Sequence, residues 1–293
     1  MTDHSSKRRY SEITGRSVLY AILVIIALYY LIPLALMIST SVRSMDEIRM
    51  GQLIAFPQSF SLDAWRMAWS EAQIGARSDR GLRPYFINSL LMVFPAVFIS
   101  TVLGALNGYV LSFWRFKGSN LFFALLLFGC FLPFQAILLP QATVLGKLGL
   151  SGSIPGLILT HVVYGVTFTT LFYRNYYVTL PGELVKAAQL DGASFWRIFW
   201  RIILPLSTPI TVVSVIWQFT QIWNDFLFGV AFSDPSSQPV TVGLNNLVNS
   251  STGEARYNVD MAGAIIAALP TLAVYIIAGK YFVRGLTAGS VKG

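Results

Sequence analysis

The chain alternates between long apolar stretches and short clusters that carry its charge. Six runs contain no Asp, Glu, Lys or Arg: residues 17–42, 84–114, 118–146, 148–173, 202–224 and 261–279. A helix needs roughly 20 apolar residues to cross the hydrocarbon core of a bilayer, with a tolerated range that starts at about 17. All six runs meet it. Stretches such as 18–31 and 121–132 are apolar on every face instead of alternating. Their backbone N–H and C=O groups must therefore be paired within the segment, as in a helix and not in a barrel strand. The pattern predicts an all-α polytopic membrane protein with six transmembrane helices, at about 17–42, 84–113, 118–145, 154–177, 206–232 and 261–282. Pro33, Pro95, Pro133, Pro140, Pro209 and Pro270 lie in or beside these spans. There they either kink a helix beside a pathway or are accommodated by neighbouring helices.

Composition sharpens this picture. Of 293 residues, 55% are hydrophobic and 12% charged, with a mean hydropathy of +0.62. The charge density is about half that of an ordinary soluble domain. This excludes a soluble enzyme and, despite a pI of 9.7, a nucleic-acid-binding protein. Six spans place both termini on one side. With a cytoplasmic N-terminus, 13 of the 21 Lys and Arg residues face inward and 8 outward, while 4 acids face inward and 8 outward. The positive-inside bias thus predicts a cytoplasmic N-terminus (1–16), a periplasmic segment (43–83), a cytoplasmic loop (178–205) and a cytoplasmic tail (284–293). The basic Lys7-Arg8-Arg9 precedes an apolar run too long for a signal-peptide core of 7–15 residues, so that run is an uncleaved first span. The single cysteine, Cys130, supports neither a disulfide nor a CxxC metal site.

Outside the spans, Trp65 and Trp69 at i,i+4 predict a short interfacial helix with its aromatics at the headgroup level. Residues 233–259 carry turn chemistry, Asp234-Pro235-Ser236-Ser237 and Asn249-Ser250-Ser251. The loop 178–205 is the most informative stretch. Pro181 and Glu183 suit a first helical turn, Ala187 and Ala188 favour the helix interior, and Gly192 suits its end. A second helix follows, with Phe195, Ile198, Phe199, Ile202 and Ile203 on one apolar face and Arg197 and Arg201 opposite. This helix–Gly–helix element is either an interfacial anchor or a docking knob for a partner.

The run Lys186-Ala187-Ala188, Asp191-Gly192-Ala193-Ser194, Ile202 and Leu204-Pro205 resembles the EAA loop of ATP-binding-cassette (ABC) importer permeases. In that family the loop forms a coupling helix that fits a groove in the cytoplasmic ATPase subunit. The resemblance assigns this coupling to Glu183, Lys186, Ala187, Ala188, Asp191, Gly192 and Ala193. One departure is that the family's usual Glu before the alanine pair is Lys186 here, with Glu183 one turn earlier. Trp223-Asn224-Asp225-Phe226 resembles a signature of carbohydrate-importer permeases, and so does Tyr85-Phe86-Ile87-Asn88-Ser89-Leu90. The tail from Arg284 resembles the end of the G subunit of maltose-type importers. The resemblance implies a type I ABC importer fold in a bacterial inner membrane. It also implies a second homologous permease, two ATP-binding subunits holding ATP and Mg, a periplasmic sugar-binding protein and a sugar as cargo.

Asp225 is the only acidic residue within a predicted span. Such a charge is costly and faces a cavity or a partner. Trp223, Asn224, Gln221 and Gln218 beside it supply rings for the C–H face of a sugar and amides for its hydroxyls. The competing reading is a polar contact between helices. Gln135 and Gln141 either line the pathway or knit helices, while Asn88 and Asn107 read as helix–helix contacts. His161 stands alone among apolar residues and lacks the neighbours a metal site requires. No catalytic constellation is present, and no G-x-x-x-x-G-K-[ST] run that would cradle ATP. The chain therefore reads as a transporter subunit, neither an enzyme nor its own ATPase. The alternatives are a stand-alone secondary transporter, for which the intramembrane acids are too few, or a permease for a polyol or glycerol phosphate.

Overall fold

The computed structural model describes residues 3–51, 57–75, 80–114, 116–249 and 255–288, with side chains from residue 15 to 279 within those ranges. The helices are α1 (Asp3–Ser41), α2 (Met45–Arg49), α3 (Asp63–Arg66, continued by a π turn at Met67–Glu71) and α4 (Arg83–Phe113). Next come α5 (Ser119–Phe131), α6 (Phe134–Lys147), α7 (Ile154–Tyr177), α8 (Glu183–Leu190) and α9 (Phe195–Ile198). A π turn at Phe199–Ile203 leads into α10 (Leu204–Leu206) and then α11 (Thr208–Trp223). The remainder are α12 (Leu227–Phe232), α13 (Val240–Asn249) and α14 (Tyr257–Ala288). Among the described residues the only β pairing is two isolated bridges.

Among the described residues four helices are each long and apolar enough to cross a membrane: Gly15–Ser41, Arg83–Phe113, Ile154–Tyr177 and Tyr257–Gly279. Two bent helix pairs bring the total to as many as six if each pair is one span. The run 118–145 is not one straight helix. α5 and α6 meet at 106°, because Pro133 pushes Leu132 into extended backbone (ψ 123°) and ends α5 at Phe131. The 206–232 span divides as well: α11 ends at Trp223 and α12 starts at Leu227. α11 rises about 24 Å, short of the ~30 Å hydrocarbon thickness. Its approach from the α9–α10 segment turns through 79° around Ser207, between Pro205 and Pro209. Of the predicted tail, 284–288 continues α14, and 289–293 lies outside the described residues.

The scaffold is the pair α4 and α7. Ala96, Ser100, Gly104 and Gly108 recur every four residues down α4 and are all buried against it. Added Cβ atoms at Gly104 and Gly108 would fall 2.2 Å from Thr169 Oγ1 and 2.7 Å from Tyr173 Cβ, so only glycine permits this approach. Small-residue stripes of this kind replace the hydrophobic drive between helices that lipid cannot supply. Thr169 donates across the interface to the Ser100 carbonyl (2.9 Å), and Asn107 donates to Thr170 (3.2 Å), the helix–helix role expected of it. By contrast α1 is exposed from Val18 to Ile32, a surface that lipid can cover.

Two outer features are fixed by packing. Trp65 and Trp69 are both half-buried. Ala64, Ala68 and Ala72 bury one face of α3, Trp65 donates to Ser41 Oγ (3.3 Å), and Trp69 packs edge-on against Phe86. Asn88 bonds no neighbouring helix; its amide donates to the carbonyls of Ser236 and Gln238 (2.9 and 3.0 Å). The adjacent Ser89 accepts from Val240 N–H (2.8 Å), so the head of α4 fixes the 233–240 turn.

Candidate coupling loop and cavity

α8 ends in a Schellman motif: Gly192 N–H donates to the Gln189 carbonyl (3.0 Å) and Ala193 N–H to the Ala188 carbonyl (2.9 Å). Gly192 takes φ +75°, with open space where a Cβ would stand. Ser194 then caps α9 by accepting from Arg197 N–H (3.4 Å). These caps are local chemistry, which is why the helix–Gly–helix reading of the sequence matches the geometry.

Packing divides the alanine pair. Val185 and Ala188 are buried with Tyr109, Tyr173, Tyr177, Ile198, Phe199 and Ile203. Ala187 is exposed, along with Glu183, Lys186, Asp191 and Gly192, and Leu190 is 89% exposed. Ala193 is half-buried behind them. The exposed face of the element is therefore Lys186, Ala187, Leu190 and Asp191, and Ala188 belongs to the core beneath it. Leu190 is a surface residue that the sequence reading passed over, although a leucine at a polar helix end was the available signal. Three tyrosines fasten the element to the scaffold. Tyr109 donates to the Phe195 carbonyl (3.3 Å), Tyr176 to that of Leu206 (2.9 Å), and Tyr177 accepts from Ser207 (3.0 Å).

The second polar locus is the break at Asn224–Phe226. Asp225 Oδ1 and Oδ2 accept from Phe228 and Gly229 N–H (3.4 and 3.2 Å), capping α12. His161 Nε2 lies 3.7 Å from Oδ2, at the buried side. In front of the break is a cavity of about 500 Å³ between α6, α7, α11 and α12. Gln221 and Asn224 are exposed at it, and Gln218 borders it while donating to Ser100 (2.7 Å) as a helix–helix tie. Trp223 does not reach the cavity. It is 1% exposed, stacks on Phe219 at 5.6 Å and donates to the Ala267 carbonyl (2.8 Å). Gln135 is exposed but lies away from the cavity lining, and Gln141 ties α6 to α7 through Thr160 (2.8 Å). The aromatic wall is Trp217 with Phe168, 4.7 Å between centroids. Trp217 precedes Gln221 by one helical turn, a spacing that could have identified it.

A capped helix with one exposed face is packed on α4 and α7, and a cavity fronts the polar break between α11 and α12. The family described as "Binding-protein-dependent transport system inner membrane component" matches residues 68–286. A probable ABC transporter permease protein of Pyrococcus horikoshii is 42% identical, over 95% of this chain and 98% of its own. The xylose/arabinose import permease protein of Haloferax volcanii is 32% identical over 91% and 90% of the two chains. The crystal structure of a bacterial ABC transporter involved in the import of the acidic polysaccharide alginate superimposes with a TM-score of 0.80. That match has 22% identity and covers 94% of this chain and 98% of that one. The chain belongs to the binding-protein-dependent transport system inner membrane component family, and its fold is that of ABC importer permeases.

Proposed function

We propose that this chain is the permease subunit of an ATP-driven, binding-protein-dependent saccharide importer. It forms half of the translocation pathway beside a second, homologous permease. Two cytoplasmic ATPase subunits supply ATP and Mg binding, and an external binding protein delivers cargo. Both termini lie in the cytoplasm of a cell with the permease in its inner membrane. The cargo class rests on the xylose/arabinose import permease among its relatives. Family membership leaves the stand-alone secondary transporter without support.

The observation that carries the reading is the division of α8. Its outer face offers Lys186, Ala187 and Leu190 to a groove, while Val185 and Ala188 pack it onto α4 and α7. A push on α8 therefore acts on α7, which also lines the cavity. ATP-driven closure of the ATPases and delivery of cargo each act by their different affinities for the inward and outward states. Lys186 in place of the family's acid leaves Asp191 and Glu183 as the exposed acids of this element.

The test is ATPase activity of the reconstituted complex with its binding protein across a panel of saccharides. Stimulation by a saccharide, lost in Ala187→Trp while the permease remains inserted and paired, is the expected result. Full stimulation in Ala187→Trp would remove the coupling assignment.

A further inference from the structure

The fold is shared with an importer of an acidic polysaccharide, so fold alone leaves cargo charge open. The cavity does not. Among the described residues that line it there is no Lys or Arg, and its one carboxylate is Asp225. Anions are also bound by free backbone N–H groups, and a break before a helix usually offers them. Here those of Phe228 and Gly229 are already taken by Asp225. What remains suits an uncharged polyol. Trp217 and Phe168 line the cavity with aromatic rings, Gln221 and Asn224 with amides, and Thr220 with a hydroxyl oxygen that can still accept. His161 also borders the cavity, 3.7 Å from Asp225 Oδ2, and its side chain is the less exposed of the two, 6% against 15%.

Resting on the saccharide reading above, we infer that this cavity selects neutral saccharides and rejects anionic ones such as uronates and sugar phosphates, with Asp225 as the specificity-determining charge. A fixed negative charge in a partly dehydrated site repels a second one far more strongly than it would in water. The carboxylate thus does two things at once. It ends the search of α12 for an N-terminal cap, and it sets the sign of the field in the pathway.

The field can be read with charged thiol reagents on the assembled complex. In a Cys130→Ser background, Gln221→Cys is reacted with trimethylammonioethyl and sulfonatoethyl methanethiosulfonate, and labelling of this chain is followed by mass spectrometry. After normalisation to a free small thiol, the cationic reagent should react about tenfold faster or more. Asp225→Asn should bring the ratio close to one. Should that variant fail to assemble, Asn224→Lys, which leaves the cap intact, should reverse the preference. A ratio near one without either change, as a charged His161 would produce by cancelling the carboxylate, overturns the inference.

Cargo is tested on the same complex by comparing neutral oligosaccharides with size-matched oligouronates. ATPase stimulation by the neutral set alone is expected, and stimulation by oligouronates to the same extent overturns the charge selectivity. Silence towards both sets would instead refute the saccharide reading, a result distinct from either thiol outcome.

Discussion

Two of the places where polar residues interrupt the apolar chain are the loop from 178 to 207 and the break at 224–226. The loop is built from local devices. A glycine C-cap, a serine N-cap and an apolar stripe each act within a few residues, and the tyrosines of α4 and α7 then hold the assembled piece. The break is defined from a distance. Asp225 caps α12 locally, but the cavity before it exists because α6 and α7 bring Phe134 and Phe168 to α11. A self-contained element can be pushed as one body. An element whose walls come from separate helices opens and closes when those helices move. The contrast fits a lever at one end and a gated space at the other.

The largest expected effect falls on the lever. Ala188→Trp inserts a ring where Ala188 packs in the core of the loop, at a cost of roughly 1–3 kcal/mol or more. The variant should lower the thermal midpoint of the detergent-solubilised permease and lose ATPase association together. Ala187→Trp, on the exposed face, should lose association with an unchanged midpoint. If both variants left the midpoint unmoved, the division of the alanine pair would be wrong.

Asp225→Ala comes next and probes the break. Removing both acceptors exposes two N–H groups at the start of α12, a loss of about 1–2 kcal/mol by analogy with other N-caps. Asp225→Asn keeps an acceptor and should retain most of that stability. Thermal unfolding of the two variants separates the cap from the charge, since both lose the charge. Equal midpoints for Ala and Asn would mean that the cap contributes nothing.

The same contrast explains which parts could be read from the sequence. The apolar runs marked the four long helices and the two bent pairs, because a bilayer imposes a length on a chain that a soluble fold does not. The bend at Leu132–Pro133 was written in its proline but needed the angle to be seen. Ala187 and Ala188 are indistinguishable as letters, and only the position of α8 over Tyr177 and Phe199 sets them apart. At the break, Trp223 looked like a sugar platform from its neighbours Asn224 and Asp225. One residue along a helix is a rotation of about 100°, and that rotation carries its ring to Phe219 and Ala267. Trp217, at i−4 from Gln221, is the ring that faces the cavity. Nothing local marks the α4 serine that receives Gln218, since the contact joins residues far apart in the chain.

Gly192→Ala is a smaller perturbation of the lever. With φ at +75° and open space around the site, the added methyl meets no neighbour. The cost is the backbone preference alone, about 1–2 kcal/mol, and it should fray α8 without disturbing the core. ATPase stimulation should fall partially, and Gly192→Asn should recover part of it, because asparagine tolerates the left-handed region better. Equal activity of all three chains would show that the end of α8 is not fixed during coupling.

The smallest change in stability, and the most selective in function, belongs to Gln221→Ala. Gln221 is exposed at the cavity and among the described residues no partner fixes its amide, so its removal should alter the thermal midpoint by no more than a surface substitution does, within about 0.5 kcal/mol. Its amide is one of the few directional groups available to a hydroxyl there. Loss of one hydrogen bond to an uncharged ligand corresponds to about 0.5–1.5 kcal/mol, or several-fold in the saccharide concentration needed for half-maximal uptake. Trp223→Phe is the counterpart. It forfeits the bond to the Ala267 carbonyl, so it should lower the midpoint and leave that concentration unchanged. If Trp223→Phe instead shifted the concentration dependence and Gln221→Ala did not, the pathway would run along the opposite face of α11, and the cavity would be a packing space.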